Sequence, residues 1–347
     1  MIIGNLKSNY ADDEAVLRSW PLRWGFWATM ALLLIIPLFM SGYQLYLVTQ
    51  ACLYIIAIVG LNVLTGYTGL ISIGHAAMVG VGAYSTGVLA AKYGMPVFVT
   101  IPAAMVITVA VGLVFGLPSL RIRGLYLTIA TIAASFIIIF ILEHWESMTG
   151  GDRGLNLPPA NIFGVEIVTE LQKFYFVIPF VVLSLLFAQN LMRTRIGRAF
   201  VAIRDGDLSA EILGVNLVRF KLYSFAISSA YAGLAGALFA YVFLALTPTL
   251  FELPISIQML AALVIGGVAS TLGPVFGALF IVLVPEIVKS LLAIIAQGDI
   301  TFAEYTAPAS TLAYGLLIIF FMMFEAQGIN AIWNRFWRFV NLWPFSP

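Results

Sequence analysis

Apolar residues run along the chain in long blocks, broken by short polar or Gly- and Pro-containing stretches. Windows of the length that crosses a bilayer, about 20 residues, fall near 24–41, 44–64, 70–91, 95–117, 124–144, 174–192, 221–243, 255–271, 275–296 and 309–325. A membrane β-barrel would show short alternating segments instead of runs such as Ile129–Leu142. The pattern predicts an all-α polytopic membrane protein with about ten transmembrane helices. Two windows differ from the rest. Segment 70–91 carries Gly74, Gly80, Gly82 and Gly87, and 255–271 ends in Gly266–Gly267. Both are weak helices by propensity and suit close backbone approach; were they re-entrant, the count of spans would fall to eight.

Composition agrees with lipid as the solvent. Of 347 residues, 62% are hydrophobic, 10% charged and 14% aromatic, and the mean hydropathy is +1.03. Soluble domains are nearer 45–50% apolar and about 25% charged, so a soluble enzyme, a nucleic-acid binder and a disordered scaffold are excluded. The net charge of +1 implies no global attraction to an anionic partner. The single cysteine, Cys52, sits in an apolar run and reads as a small buried hydrophobe, which rules out an internal disulfide framework.

Charge placement sets the topology, because short cytoplasmic loops are rich in Lys and Arg. Segment 193–221 holds Arg193, Arg195, Arg198, Arg204, Arg219 and Lys221; segment 143–173 holds Glu143, Glu146, Asp152, Glu166 and Glu170 against Arg153 and Lys173. The first is expected inside and the second outside. Ten spans threaded from an inside N-terminus also place Arg18, Arg23, Arg121, Arg123, Arg335 and Arg338 inside. The expected organisation is a cytoplasmic N-terminal segment 1–23 with no signal-peptide core, a transmembrane domain 24–325 and a cytoplasmic tail 326–347. Blocks 44–144 and 221–325, each of four spans with one extra span ahead of it, then run in opposite directions. That is the signature of an inverted repeat.

Chemistry-bearing residues are scarce. The chain has no hydrolase triad, Walker A loop, Gly-x-Gly-x-x-Gly signature or metal cluster, and His75 and His144 are too far apart in sequence to imply shared chemistry. Within the spans, only Glu286 and Lys289 carry opposite charges at helical spacing, three apart, where they could neutralise each other or line a substrate path. A secondary carrier usually places coupling-ion ligands at mid-membrane; a pore driven by a separate motor needs instead a cytoplasmic element that receives force. Segment 193–220 suits that element. Arg198 leads into the helix-forming stretch Ala199–Ile203, Arg204 and Asp205 follow, and Asp207 as N-cap with Gly214 as a left-handed C-terminal residue would enclose a short helix containing Glu211. The plain alternative is a basic loop that only fixes topology.

Several segments now become recognisable. Gly66-Tyr67-Thr68-Gly69-Leu70-Ile71-Ser72-Ile73-Gly74-His75-Ala76-Ala77 and the following Gly80-Val81-Gly82-Ala83-Tyr84 resemble the permeases of branched-chain amino acid ABC importers, the LivM type. The resemblance continues through Leu120–Leu127, Thr149–Leu155, Gly197–Lys221, Ser228–Gly236 and Gly266–Pro274, in the family's order, over roughly 44–325. It implies a permease subunit forming half of a pore with a second, LivH-type permease. It also implies two cytoplasmic ATPase subunits that bind the ATP, an extracytoplasmic substrate-binding protein, no cofactor of its own, and a bacterial inner membrane with both termini cytoplasmic. The loop containing Ser209, Ala210, Glu211 and Gly214 matches the family's coupling element, although Gly206 stands where relatives often carry a polar residue such as Asn.

Such a permease needs a path rather than a tight site, because a binding protein supplies selectivity. Candidate path residues are the polar or flexible ones within spans: Asn62, Thr65, Tyr67, Ser72, His75, Tyr84 and Gln258, with Thr128, Thr131 and Ser135 as alternatives. Hydroxyls in membrane helices more often bond their own backbone than a solute, and His75 could equally serve a helix–helix hydrogen bond. Relatives for urea, amides or aromatic acids share these motifs. A stand-alone carrier or channel is the competing class, and a membrane-embedded enzyme ranks behind it for want of an acid–base or metal constellation.

Overall fold

The computed structural model describes residues 35–117, 124–162 and 164–295, with scattered positions between 308 and 335. The expected spans 24–41 and 309–325, and both tails, therefore lie wholly or largely outside the described residues. Helix α1 (Gly42–Leu61) continues as π-helical turns over Asn62–Tyr67, and α2 (His75–Ala91), α3 (Val97–Gly116) and α4 (Leu125–His144) follow. Next come α5 (Glu170–Arg193), α6 (Arg195–Asp205), α7 (Asp207–Ile212), α8 (Leu217–Phe243), α9 (Leu253–Gly266) and α10 (Gly273–Ile295). Seven stretches among the described residues are long and apolar enough to cross a membrane: those of α1, α3, α4, α5, α8, α10, and α9 with the 3-10 turn before it. The protein is an all-α polytopic membrane protein.

The two Gly-rich windows give the shortest of the long helices, as weak propensity requires. Residues 68–74 are non-helical and α2 has 17 residues, while α9 has 14. Helix starts follow local chemistry. Ser41 and Gln44 form a reciprocal capping box on α1, and Thr169 and Gln172 do the same on α5.

Helices α1 and α8 form the centre: 78% of each spanning window is buried, against 33–44% in the other five. They run antiparallel. Tyr46, near the start of α1, meets Phe243 at the end of α8, and Gly60 near the end of α1 abuts Ser228 and Tyr231. The α2–α3 hairpin packs on α8, while the α9–α10 hairpin packs on α1. This exchange, with α1 matching α8, α2 matching α9 and α3 matching α10, is what two inverted blocks produce. Small residues allow the tightest contact: a Cβ on Gly82 of α2 would lie 2.7 Å from the Cα of Gly233 on α8.

Short strands close one end of the bundle. β1 (Leu155–Asn156) pairs antiparallel with β4 (Ala245–Leu246), beside the hairpin β2 (Ala160–Ile162) and β3 (Val165–Ile167). The opposite end carries α6 and α7. The acidic segment 143–173 and the basic segment 193–221 thus sit at opposite ends, as their charges require. One detail differs from the sequence reading. Asp207 is the first residue of α7, not its cap; extended Gly206 takes the cap position and supplies no side-chain bond.

Candidate functional site

Two regions gather the residues singled out from the sequence: a break in the helices inside the bundle, and the α6–α7 unit at one end.

The break begins where α1 widens into π turns, which loosen the backbone ladder. Asn62 spans the bundle there. Its Nδ2 donates to Ser270 O at 2.9 Å, and its Oδ1 accepts from Ala269 N at 2.9 Å. Thr65 Oγ1 donates to Leu70 O at 3.1 Å, and Thr68 Oγ1 to Val63 O at 2.9 Å, so the carbonyls released by the break are satisfied locally. The far side of the break is capped by distant side chains: Ile73 N donates to Thr131 Oγ1 of α4 at 3.1 Å, and Ala76 N to Ser256 Oγ of α9 at 2.9 Å. Irregular backbone at membrane depth requires such partners. Ser256 was not among the sequence candidates, and no local signal marks a cap supplied from 180 residues away.

His75 opens α2 fully buried, and its Nε2 donates to Ala57 O at 2.9 Å. With Ser72, Thr131, Ser228 and Ser229 it lines a cavity of about 20 Å³, far below the roughly 300–1,000 Å³ of small-molecule sites. Ser135 bonds its own helix at Ile132 O and Thr131 bonds Thr128 O, while Thr128 Oγ1 is buried without a partner among the described residues. Tyr84 is buried towards the strand-bearing end, where its hydroxyl donates to Leu246 O at 3.4 Å. Tyr67 is half-buried at the end of the π turns and Gln258 half-buried on α9. Ser72 and His75 thus line one cavity, too small for a solute, while Tyr84 stands apart. Among the described residues no group of His, Cys, Asp and Glu could hold a metal ion.

The second region is built to be rigid. Thr194 caps α6, whose Phe200 is fully buried against Val63 of the π turns and Leu191 of α5. Arg204 lies under the break; a Cβ on Gly69 would sit 3.4 Å from its Cα. Just past the end of α7, Gly214 adopts φ +84°. Gly214 N donates to Glu211 O at 2.9 Å and Val215 N to Ala210 O at 3.0 Å, the two bonds of a Schellman stop. Lys221 of α8, itself buried, reaches Asp207 Oδ2 at 2.7 Å. Arg198 Nη1 bonds Arg193 O at 3.2 Å, and Arg198, Arg204, Asp205 and Glu211 stay exposed. The sequence reading missed the most telling feature. Leu208, Ile212 and Leu213 are 70–80% exposed, an apolar face on a six-residue helix outside the bundle.

Residues 43–326 match the family described as the permease component of branched-chain amino acid transport systems. The chain belongs to that family. It is 31% identical over 327 residues, 86% of this chain and 73% of the relative, to the high-affinity branched-chain amino acid transport system permease protein LivM of Salmonella typhimurium. The Escherichia coli LivM protein is 30% identical over 317 residues, covering 84% and 71% of the two chains. The Escherichia coli LivH permease is 25% identical over 276 residues, covering 74% of this chain and 88% of its own. No solved structure matches the chain. Within this permease family the protein is a transport subunit and a multi-pass membrane protein.

Proposed function

We propose that the protein is one of two permease subunits of an ATP-driven importer of branched-chain amino acids, forming half of the translocation pore. Its partners are a LivH-type permease, two cytoplasmic ATPase subunits that bind and hydrolyse the ATP, and an extracytoplasmic binding protein that supplies selectivity. The chain itself needs no cofactor. It lies in the bacterial inner membrane with the α6–α7 end and both termini cytoplasmic, the side to which a segment rich in Arg belongs.

The exposed apolar face of α7 carries this reading. A loop that served only topology would need its positive charges, whereas a surface that seats in a motor subunit needs rigid shape and area to bury. The Schellman stop and the Lys221–Asp207 pair hold α7 to α8, and Phe200 holds α6 to the π turns of α1. Displacement of α7 by an ATPase would therefore act on both central helices and bias outward- against inward-open arrangements. The cavity of about 20 Å³ lined by Ser72 and His75 is too small for a solute, which suits a path formed between two permeases, with Asn62, Thr65, Tyr67, Ser72, His75, Tyr84 and Gln258 as its candidate lining.

The test is co-expression with the ATPases, the second permease and the binding protein, using the variant Leu208→Ser/Ile212→Ser. Normal membrane insertion with loss of ATPase co-purification and of substrate-stimulated ATP hydrolysis is expected. Wild-type co-purification and hydrolysis would overturn the reading.

A further inference from the structure

An open groove of about 580 Å³ lies where α6 begins beside the first turns of α8. Arg195 and Arg219 border one end of it; Phe220, Tyr223, Ala226 and Ile227 continue it along one stripe of α8. From residue 219 to 227 a helix rises roughly 12 Å, which is most of one leaflet of a hydrocarbon core about 30 Å thick. The groove is therefore charged at the membrane boundary and apolar with increasing depth, the polarity profile of a single lipid molecule standing in its leaflet.

The charges at its head are set for a ligand. Arg219 Nε donates to Tyr223 OH at 2.8 Å, and its guanidinium carbon lies 5.4 Å from the Tyr223 ring centroid. Those contacts orient the fork and leave its terminal nitrogens uncommitted. Neither Arg195 nor Arg219 has a carboxylate in ion-pair range among the described residues, whereas Lys173, Lys221 and Lys289 each do. Planar guanidinium groups suit phosphate oxygens, which they bind two at a time. Basic pockets at the ends of membrane helices on the cytoplasmic side meet the leaflet that holds anionic lipid.

We propose that this groove binds one anionic phospholipid, with its phosphate on Arg195 and Arg219 and an acyl chain along Phe220 to Ile227. The bound lipid fills the angle between α6 and α8, so it braces the base of the coupling unit from the bilayer side. The site depends on α8 spanning the membrane and not on the cargo. Its failure would leave the permease reading standing, and loss of ATPase docking would leave the groove as it is.

The full-length protein, purified and equilibrated with equimolar phosphatidylglycerol and phosphatidylcholine, is examined by native mass spectrometry for retained lipid. Wild type should keep phosphatidylglycerol over phosphatidylcholine by roughly tenfold, given the attraction each arginine contributes near a membrane surface. Arg195→Gln/Arg219→Gln should bring the two lipids level, because both changes are at exposed positions that leave the apolar stripe intact. Ala226→Trp, which fills the stripe and keeps both arginines, should lower retention of both lipids. Excess glycerol phosphate should fail to displace the lipid. Equal retention of both lipids by wild type, an unchanged preference in the arginine variant, or full displacement by glycerol phosphate would each overturn the proposal.

Discussion

Lys221 and Asp207 form an ion pair at 2.7 Å in which the lysine side chain keeps only 5% of its exposure. It joins the first residue of α7 to the second turn of α8, and so ties a helix outside the bundle to one of the two at its centre. In the sequence Lys221 counts as one more cytoplasmic positive charge; in the fold it is a strut. Removing one partner strands the other in a poorly solvated place. Asp207→Ala should cost roughly 2–3 kcal/mol, below the figure of about 3–5 for a fully buried pair because the Asp207 side chain remains 21% exposed. Asp207→Ala/Lys221→Met should be milder than Asp207→Ala in thermal unfolding of the purified protein. Equal destabilisation by the single and double variants would argue against the pair.

Gly214 ends α7 at φ +84° with open space where a Cβ would point. The obstacle to substitution is therefore conformational and not steric crowding. Gly214→Val should disfavour the left-handed turn by roughly 1–2 kcal/mol and misdirect the chain entering α8. Gly214→Asn, which tolerates that conformation, should retain most of the coupling. Both should insert normally, and substrate-stimulated ATP hydrolysis separates them. Similar activity in the two variants would show that the stop plays no part in coupling.

The contact of Gly82 with Gly233 leaves no room for a side chain on α2: on Gly82 a Cβ would also lie 2.7 Å from Gly233 O. Gly82→Leu should overpack the α2–α8 seam, a change that costs about 1–3 kcal/mol or more, with lost transport and reduced yield of folded protein. Gly94, with open space around it, is the control, and Gly94→Asn should be nearly silent. A Gly82→Leu protein with wild-type thermal stability would contradict the packing.

Glu286 pairs with Lys289 at 3.4 Å as its helical spacing suggested, and it has a second partner that spacing could not reveal. The hydroxyl of Tyr43, at the opposite end of the described chain, donates to its other carboxylate oxygen. The charge is thus divided between α1 and α10. Replacing Lys289 alone with Met should disturb folding more than Glu286→Gln/Lys289→Met, since the single change leaves a carboxylate with only a phenol. Thermal unfolding of the two proteins decides it; equal defects would mean that the pair does not neutralise.

These examples show which features were legible in the sequence. Hydrophobic runs located the described spans within a few residues, because a membrane helix must be apolar along its whole length. The stop at Gly214 was readable as local chemistry, whereas the capping boxes at Ser41 and Thr169 were not singled out in the sequence. Asn62 was visible as a polar residue in a span, but its partners are 207 and 208 residues away, and only the inverted packing brings them together. Thr131 holds the break at Ile73 and Ser256 caps α2 at Ala76, each from another helix, for the same reason. Leu208, Ile212 and Leu213 failed as signals because an apolar residue reads as buried in its own chain, whereas these three are exposed.

The most direct test of the account is the accessibility of α7. In a Cys52→Ala background, Ser209→Cys and Ser147→Cys each present one thiol, since Cys52 is the only native cysteine and both serines are exposed. A membrane-impermeant maleimide should reach them from opposite faces, with Ser209→Cys labelled from the cytoplasmic side. Adding the ATPase subunits should then protect Ser209→Cys and leave labelling at Ser147→Cys unchanged. Labelling of both from one face, or equal labelling of Ser209→Cys with and without the ATPases, would contradict the claim that α7 is the motor contact.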